Sequence, residues 1–244
     1  VPAVVKYVAD ISHVREVSLL GSADLAFWQD RLRGEDLTPC NASGRARLLL
    51  SAPDLKFKGI RFRELSICAL VSGHDDPSTE DGAFLAHAFN SNRFFAFCER
   101  TFFSTPYHHG HIEVESKLPA SFRVSHRGEV VLHAAMRADS TDTARSPFRT
   151  AVEGFKGPVF LPRPGGTRNR PGKYFYARID GLTQAYRFDR TDDVFTLRPS
   201  AGVPVLNWLA ESQFEPTEWL IRNDATHGKS QTFRRGDVWP GPVE

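Results

Sequence analysis

Thirteen consecutive residues, Ile60 to Ser72, divide their side chains between two faces with the period of two that a strand imposes and a helix does not. Arg63, Leu65, Ile67, Ala69 and Val71 share one face; Phe62, Glu64, Ser66, Cys68 and Leu70 share the other. The first is a core face beyond Arg63. The second mixes apolar residues with a single acid. Acids rarely sit among buried apolar neighbours without a reason, so Glu64 reads as a pocket residue rather than a structural ion pair.

Strand patterns dominate the remainder. Arg15–Leu20 reads as a short strand, followed by a helix capped at Ser22, carrying Leu25, Trp28 and Leu32 at helical spacing and stopped by Gly34. Arg45–Leu50 is a strand with a turn expected at Ala52-Pro53-Asp54. Gly82–Phe89 is another, leading into a helix capped by Asn90 or Asn92 whose broad apolar face would comprise Phe94, Phe95, Phe97 and Phe102. Pro106 ends that helix, because the residue before a proline disfavours helical geometry. Phe122–Ser125 and Glu129–Met136 form a hairpin around His126-Arg127-Gly128. Lys173–Asp180, Leu182–Phe188 and Val194–Leu197 read as a meander, Val205–Ala210 as a short helix, and Trp219–Arg222 with Ser230–Arg234 as a closing strand pair. The tail Trp239-Pro-Gly-Pro is irregular. No repeat or linker divides the chain, so the expectation is one β-rich (α+β) domain over residues 1–244 with two or three helices.

Composition excludes some functions. With 41% hydrophobic and 25% charged residues the chain has the make-up of a globular core former, and nineteen Phe against one Met favour strands. A net charge of +2 without a basic run gives nucleic acid no footprint. Cys40, Cys68 and Cys98 are odd in number and form no CxxC pair, which suits reduced thiols in the cytoplasm. No apolar run is long enough to span a membrane, and no signal peptide is visible at the start. GxGxxG, P-loop and GxSxG motifs are absent.

Three of the nine histidines fall within four residues, at His108, His109 and His111. His109-x-His111 followed by Glu115 has the spacing of a cupin metal site, although the surrounding cupin pattern is missing and a solvated strand face accounts for the same residues. Alternation places His108 on the other face with Ile112 and Val114, where an imidazole is either a hydrogen-bonded core residue or a general acid–base. The Arg-rich loop around Gly165-Gly166, with Arg163, Arg168 and Arg170, is either an anion site or a flexible surface loop.

Phe62-Arg63-Glu64-Leu-Ser-Ile on a strand, then a helix ending in Pro106-Tyr107-His108, resembles the acetoacetate decarboxylase-like superfamily. The likeness covers Ile60 to Glu115, nearly a quarter of the chain, with a plausible continuation to Arg234. It looks closest to a bacterial branch in which the superfamily's lysines give way to Tyr-His. The resemblance implies a cone-shaped β-barrel around a small-molecule pocket, with helices packed outside and no cofactor or metal. Glu64 matches the essential Glu of the superfamily's Tyr-Asn-Glu-Val-type strand, and Tyr107 and His108 stand where its Pro-Lys-Lys motif supplies the Schiff-base lysine. Neither can form an imine, which requires a primary amine. Lys117 and Lys229 are the other lysines of note. Lys229, in the polar segment Asp224–Lys229, is either a residue that reaches the pocket or, the preferred reading, a solvated surface lysine.

The resulting expectation is an enzyme of lyase or isomerase type that acts on an anionic oxo acid without a Schiff base. Glu64, His108 and Tyr107 would exchange protons and Arg63 would clamp a carboxylate, although strand parity separates Arg63 from Glu64. The alternatives are a non-catalytic binding protein of the same fold and a cupin-like metalloenzyme. No nucleic-acid or membrane partner is expected, and a homo-oligomer is left open.

Overall fold

The computed structural model describes residues 5–73, 77–137, 145–152, 154–163 and 171–236. In chain order the elements begin with β1 (Tyr7–Asp24), α1 (Leu25–Arg33), the two-residue strands β2 (Thr38–Pro39) and β3 (Asn41–Ala42), β4 (Arg45–Phe57), β5 (Ile60–Ser72) and β6 (Gly82–Asn90). There follow α2 (Arg93–Phe102), β7 (Tyr107–His109), β8 (His111–Glu115), β9 (Ser121–His126), β10 (Glu129–Ala135), β11 (Arg149–Val152) and β12 (Phe155–Leu161). The chain continues with β13 (Lys173–Asp180), β14 (Leu182–Arg187), β15 (Val194–Leu197), α3 (Pro204–Glu211), β16 (Glu215–Ser230) and β17 (Phe233–Arg234).

Seven strands close into a barrel in the order β16-β1-β4-β5-β6-β12-β13, and β13 pairs back onto β16. Neighbours are antiparallel except β6 and β12, which run parallel through Val159↔Ala83 and Phe160↔Phe84. β16 pairs with two strands along its length besides β1. Glu218–Ile221 pair with β14, and Thr226–Lys229 pair with β13 inside the barrel. A second sheet, β15-β10-β9-β8, lies beside it.

Alternation sorts the core into two compartments. Leu65, Ile67, Ala69 and Val71 of β5 pack outward against Trp28 and Leu32 of α1, Leu206 and Leu209 of α3, and Phe122 and Val124 of the second sheet. Cys68 and Leu70 point inward with Ala83, Leu85, Val159 and Phe175. Full burial of a side chain such as Leu32 is worth about 1.5–3 kcal/mol.

The two faces expected of Ile60–Ser72 are the two faces observed, and Gly34 stops α1. The cap of α1 is Asp24, not Ser22: its carboxylate accepts from Phe27 N at 2.7 Å, because Gly21–Ala23 remain in register with β4. The turn expected at Ala52–Asp54 is also corrected. β4 runs through Pro53 and reverses at Lys58-Gly59, both at positive φ. A strand tolerates a proline where its missing N–H costs no ladder bond, and here the β4–β5 pairs skip from Ser51↔Ser66 to Asp54↔Arg63. The expected meander does not form, because β13 and β14 each pair with β16 instead of each other and β15 joins β10. Likewise β17 pairs with β13, and the strand beginning near Trp219 extends unbroken to Ser230.

Asn92 caps α2, accepting from Phe94 N and Phe95 N. The apolar face expected of this helix is mostly not buried: Phe94, Phe97 and Phe102 are exposed, and Ala96 is buried. Phe95 turns toward the barrel and meets Phe62 edge-on at 4.8 Å. The irregular tail expected at Trp239–Pro242 lies outside the described residues, as does most of the loop expected over Asp139–Ser146.

Candidate active site

The inward face of the barrel does not fill its own interior. It encloses a cavity of about 200 Å³ to which all seven barrel strands contribute, with Glu99 of α2 and Tyr107 of β7 at its edge. Leu49, Leu55, Leu70, Leu85, Val159 and Phe175 make the walls apolar, and a few polar groups converge among them. Ligand sites are commonly built this way.

Glu64 supplies the first of these groups. Asn90 lies opposite it across the β5–β6 ladder and donates Nδ2–H to Glu64 Oε1 at 2.8 Å. The Tyr107 hydroxyl donates to Oε2 at 3.2 Å. The carboxyl is partly buried and lines the cavity. Burial, reinforced by the negative charge of Glu99, pushes it up to about 7, against the opposing pull of Lys229, Tyr107 and Asn90. A carboxyl poised there exchanges protons readily near neutral pH. Burial, together with Glu64 and Glu99, also raises the Tyr107 phenol well above its ordinary value, so it remains a donor.

The second group comes from β16 and α2. Lys229 Nζ donates to Glu99 Oε2 at 2.5 Å, and Thr105 Oγ1 donates to the same oxygen at 2.9 Å. The ammonium lies 4.8 Å from the Phe175 ring centroid, 4.9 Å from Phe103 and 6.0 Å from Tyr107. Lys229 lines the cavity, which corrects the expectation of a solvated surface lysine. The site contains a primary amine after all, delivered by a different strand from the one where the resemblance looks for it. Lys117, by contrast, is exposed.

A third arrangement stands behind the same wall. Glu16 is fully buried. Its Oε1 accepts from Ser18 at 2.6 Å and Ser51 at 2.8 Å and pairs with Arg222 at 3.2 Å, while Oε2 meets His227 Nε2 at 3.0 Å. Burial pushes this carboxyl up, but Arg222, His227 and Ser18 together hold it well below the usual carboxylate range. His227 and Ser51 line the cavity.

Of the residues expected from sequence, Glu64 and Tyr107 meet in the cavity and His108 and Arg63 do not. His108 points to the opposite face of the sheet, stacked on His87 at 4.7 Å with Nδ1 3.2 Å from His87 Nε2. Adjacent residues on a strand face opposite ways, so Tyr107 and His108 cannot share a pocket while β7 stays extended. Burial lowers both imidazoles, His87 to about 3. Arg63 lies 3.5 Å from Asp54 and donates to Ile112 O at 3.4 Å, away from the cavity as its parity required. His109, His111 and Glu115 do not converge: His111 pairs with Glu113, Glu115 accepts from Lys117 N, and no three metal-ligating side chains group together among the described residues. Gly165, Gly166, Arg168 and Arg170 lie outside the described residues, and Arg163 pairs with Asp36. Burial holds the Cys68 thiol up at about 12, so it is an inert wall of the cavity.

Sequence reasoning missed Glu16, Glu99 and His227, and it named Lys229 without placing it in the cavity. A signal for the last two existed in the i, i+2 placement of His227 and Lys229, which puts both on one face once the segment is a strand.

No family model matches this chain, and no curated protein does. Solved structures match over nearly its whole length. The acetoacetate decarboxylase from Legionella pneumophila subsp. pneumophila str. Philadelphia 1 superposes with a TM-score of 0.63 at 12% identity, covering 95% of this chain and 89% of that one. An acetoacetate decarboxylase-like enzyme from Sphingomonas wittichii RW1 gives 0.57 at 12% identity, with 93% and 92% covered. The enduracididine biosynthesis enzyme MppR, solved with the condensation product of pyruvate and imidazole 4-carboxaldehyde, gives 0.58 at 11% identity, with 92% and 88% covered. The fold is therefore the acetoacetate decarboxylase-like β-barrel. No helix of the described residues is long and apolar enough to cross a membrane.

Proposed function

We propose that this chain is a small-molecule enzyme acting on an oxo carboxylate by general acid–base chemistry, with Glu64 as the group that moves the proton. The observation that carries this reading is a carboxyl held at about 7, hydrogen-bonded to Tyr107, in an apolar cavity that also holds an amine. The fold adds support, since its neighbours include a decarboxylase and an enzyme bound to a pyruvate condensation product.

The chemistry follows from the groups present. Tyr107 and the Lys229 ammonium are donors to a carbonyl oxygen, and they draw electron density away from the carbon beside it. Glu64 as carboxylate removes a proton from that carbon, and as carboxylic acid it returns one. The same enol arises when a β-oxo acid loses carbon dioxide, so decarboxylation, dehydration and isomerisation need the same three side chains. The basic residues of the cavity, Lys229, His227 and Arg178, suit an anionic substrate. An ammonium ion-paired to Glu99 at 2.5 Å is not a nucleophile, which favours the non-covalent route.

A second reading, imine formation on Lys229, is favoured by the placement of that amine among Phe103, Phe175 and Tyr107. Borohydride reduction in the presence of pyruvate or acetoacetate, followed by intact-mass measurement, separates the two. No adduct is expected. An adduct mapped to Lys229 replaces the acid–base route with the covalent one. Deuterium exchange of a panel of oxo acids, with at least one exchangeable hydrogen lost in Glu64→Gln, tests the reading as a whole.

A further inference from the structure

β16 and β5 stand on opposite walls of the barrel, separated by β1 and β4 on one side and by β6, β12 and β13 on the other. A molecule held between them presents one face to Glu64 and the other to the inward residues of β16. One of these is His227, whose register partners are Ile11 on β1 and Ile179 on β13.

Its ring is held from behind by a device larger than a structural contact requires. Ser18, Ser51 and Arg222 address Glu16 Oε1, and His227 takes Oε2. Arg222 is in turn fixed by its Nε–H donating to Thr183 Oγ1 at 2.8 Å. With Arg222 neutralising it, Glu16 is a permanent acceptor. Nε2 of His227 must therefore carry its proton, and the side-chain hydrogen bond of this ring among the described residues runs through Nε2, leaving Nδ1 to the cavity side. A carboxylate that fixes one imidazole nitrogen as donor leaves the other free to take and give a proton.

We propose that His227 is a second proton-transfer group of the cavity, acting on the face of the substrate opposite Glu64, and that Glu16 and Arg222 are its positioning residues. This rests on the acid–base reading above and extends it. In the step itself, His227 Nδ1 takes a proton from the carbon beside the carbonyl. The C–H electron pair becomes the carbon–carbon double bond of an enol, and the carbonyl oxygen is protonated by Lys229 or Tyr107. The reverse step returns a proton to the same face.

Two bases on opposite faces remove two different hydrogens from one carbon, and this is measurable. With 2-oxobutanoate in D2O followed by NMR, the wild-type chain is expected to exchange both C3 hydrogens. His227→Gln is expected to stop at one deuterium, with the second exchange slowed by at least about 10²-fold. Glu64→Gln is expected to lose the complementary hydrogen. Glu16→Gln is expected to slow the His227-dependent exchange at saturating 2-oxobutanoate by at least about ten-fold, with the half-saturating concentration unchanged within two-fold. A merely structural role would weaken both exchanges together. Glu16→Gln leaves Arg222 without its partner and can fail to fold, so a 15N–1H spectrum of the His227 ring in the wild type provides an independent measurement: an Nε2–H form is expected, and an Nδ1–H form overturns the proposal. A wild type that exchanges one hydrogen only, or a His227→Gln that still exchanges both, removes His227 and leaves Glu64 in place. No exchange by the wild type removes both readings.

Discussion

Glu64 and Tyr107 meet at 3.2 Å although they lie on strands that do not pair, β5 and β7, with β6 between them. The residue of β6 beneath the contact is Ala88, paired with Ser66 on one side and Tyr107 on the other. A side chain this small lets the phenol reach across a whole strand to the carboxyl, and that reach assembles the site.

The position of the Glu64 carboxyl makes stability depend on pH in a definite direction. It is raised in the fold from 4.5 to about 7, so its contribution is most favourable below pH 4.5 and is lost as pH rises through 7. Glu64→Gln should remove this loss and make the chain more stable than wild type at pH 7.5, by on the order of 3 kcal/mol at most. Urea melts across pH check the sign. The same variant should lower exchange of the Glu64-dependent hydrogen by about 10²–10⁴-fold.

Lys229 and Glu99 pull Glu64 in opposite directions, the first lowering its carboxyl and the second raising it. Lys229→Met should therefore move the Glu64 titration to higher pH, and Glu99→Gln should move it to lower pH. Carboxyl 13C shifts followed against pH read both. Shifts of the same sign would show that the Lys229–Glu99 pair does not face Glu64.

Tyr107→Phe removes a donor to Glu64 Oε2 while keeping the ring. The carboxyl should rise further, since that hydrogen bond lowers it. The cost to stability should be modest, about 0.5–1.5 kcal/mol, because the partner is half-protonated near neutral pH. Thermal melts and the pH dependence of exchange measure the two effects.

His108→Ala should leave exchange within two-fold of wild type, because the ring lies against His87 on the far face of the sheet. His87 governs an acid limb of stability. Burial, with His108 and His126 adding to it, lowers it from 6.5 to about 3, so its stabilisation is complete above pH 6.5 and declines as pH falls toward 3. At pH 5.5 this amounts to about 1.4 kcal/mol relative to pH 7.5. Replacing His87 by Phe should flatten that limb in melts recorded in the Glu64→Gln background, where the opposing carboxyl is gone.

What the sequence determined by itself is local. The parity of Ile60–Ser72 put Glu64, Ser66, Cys68 and Leu70 on one face and separated Arg63 from them, and the structure keeps that division. Gly34, Asn92 and Arg127-Gly128 ended or turned their segments because caps and positive φ depend on a few neighbouring residues. What only the tertiary structure decided is which strands become neighbours. The closure of β13 onto β16 turns the C-terminal half of the polar run Asp224–Lys229, His227 to Lys229, from an apparent surface segment into a wall of the cavity. Such a strand has no apolar period to announce it, because its inward side chains are satisfied by Glu16 and Glu99, which are remote in sequence. Parity follows from the geometry of a single chain segment; the pairing of a lysine with a carboxylate 130 residues away follows from the fold as a whole.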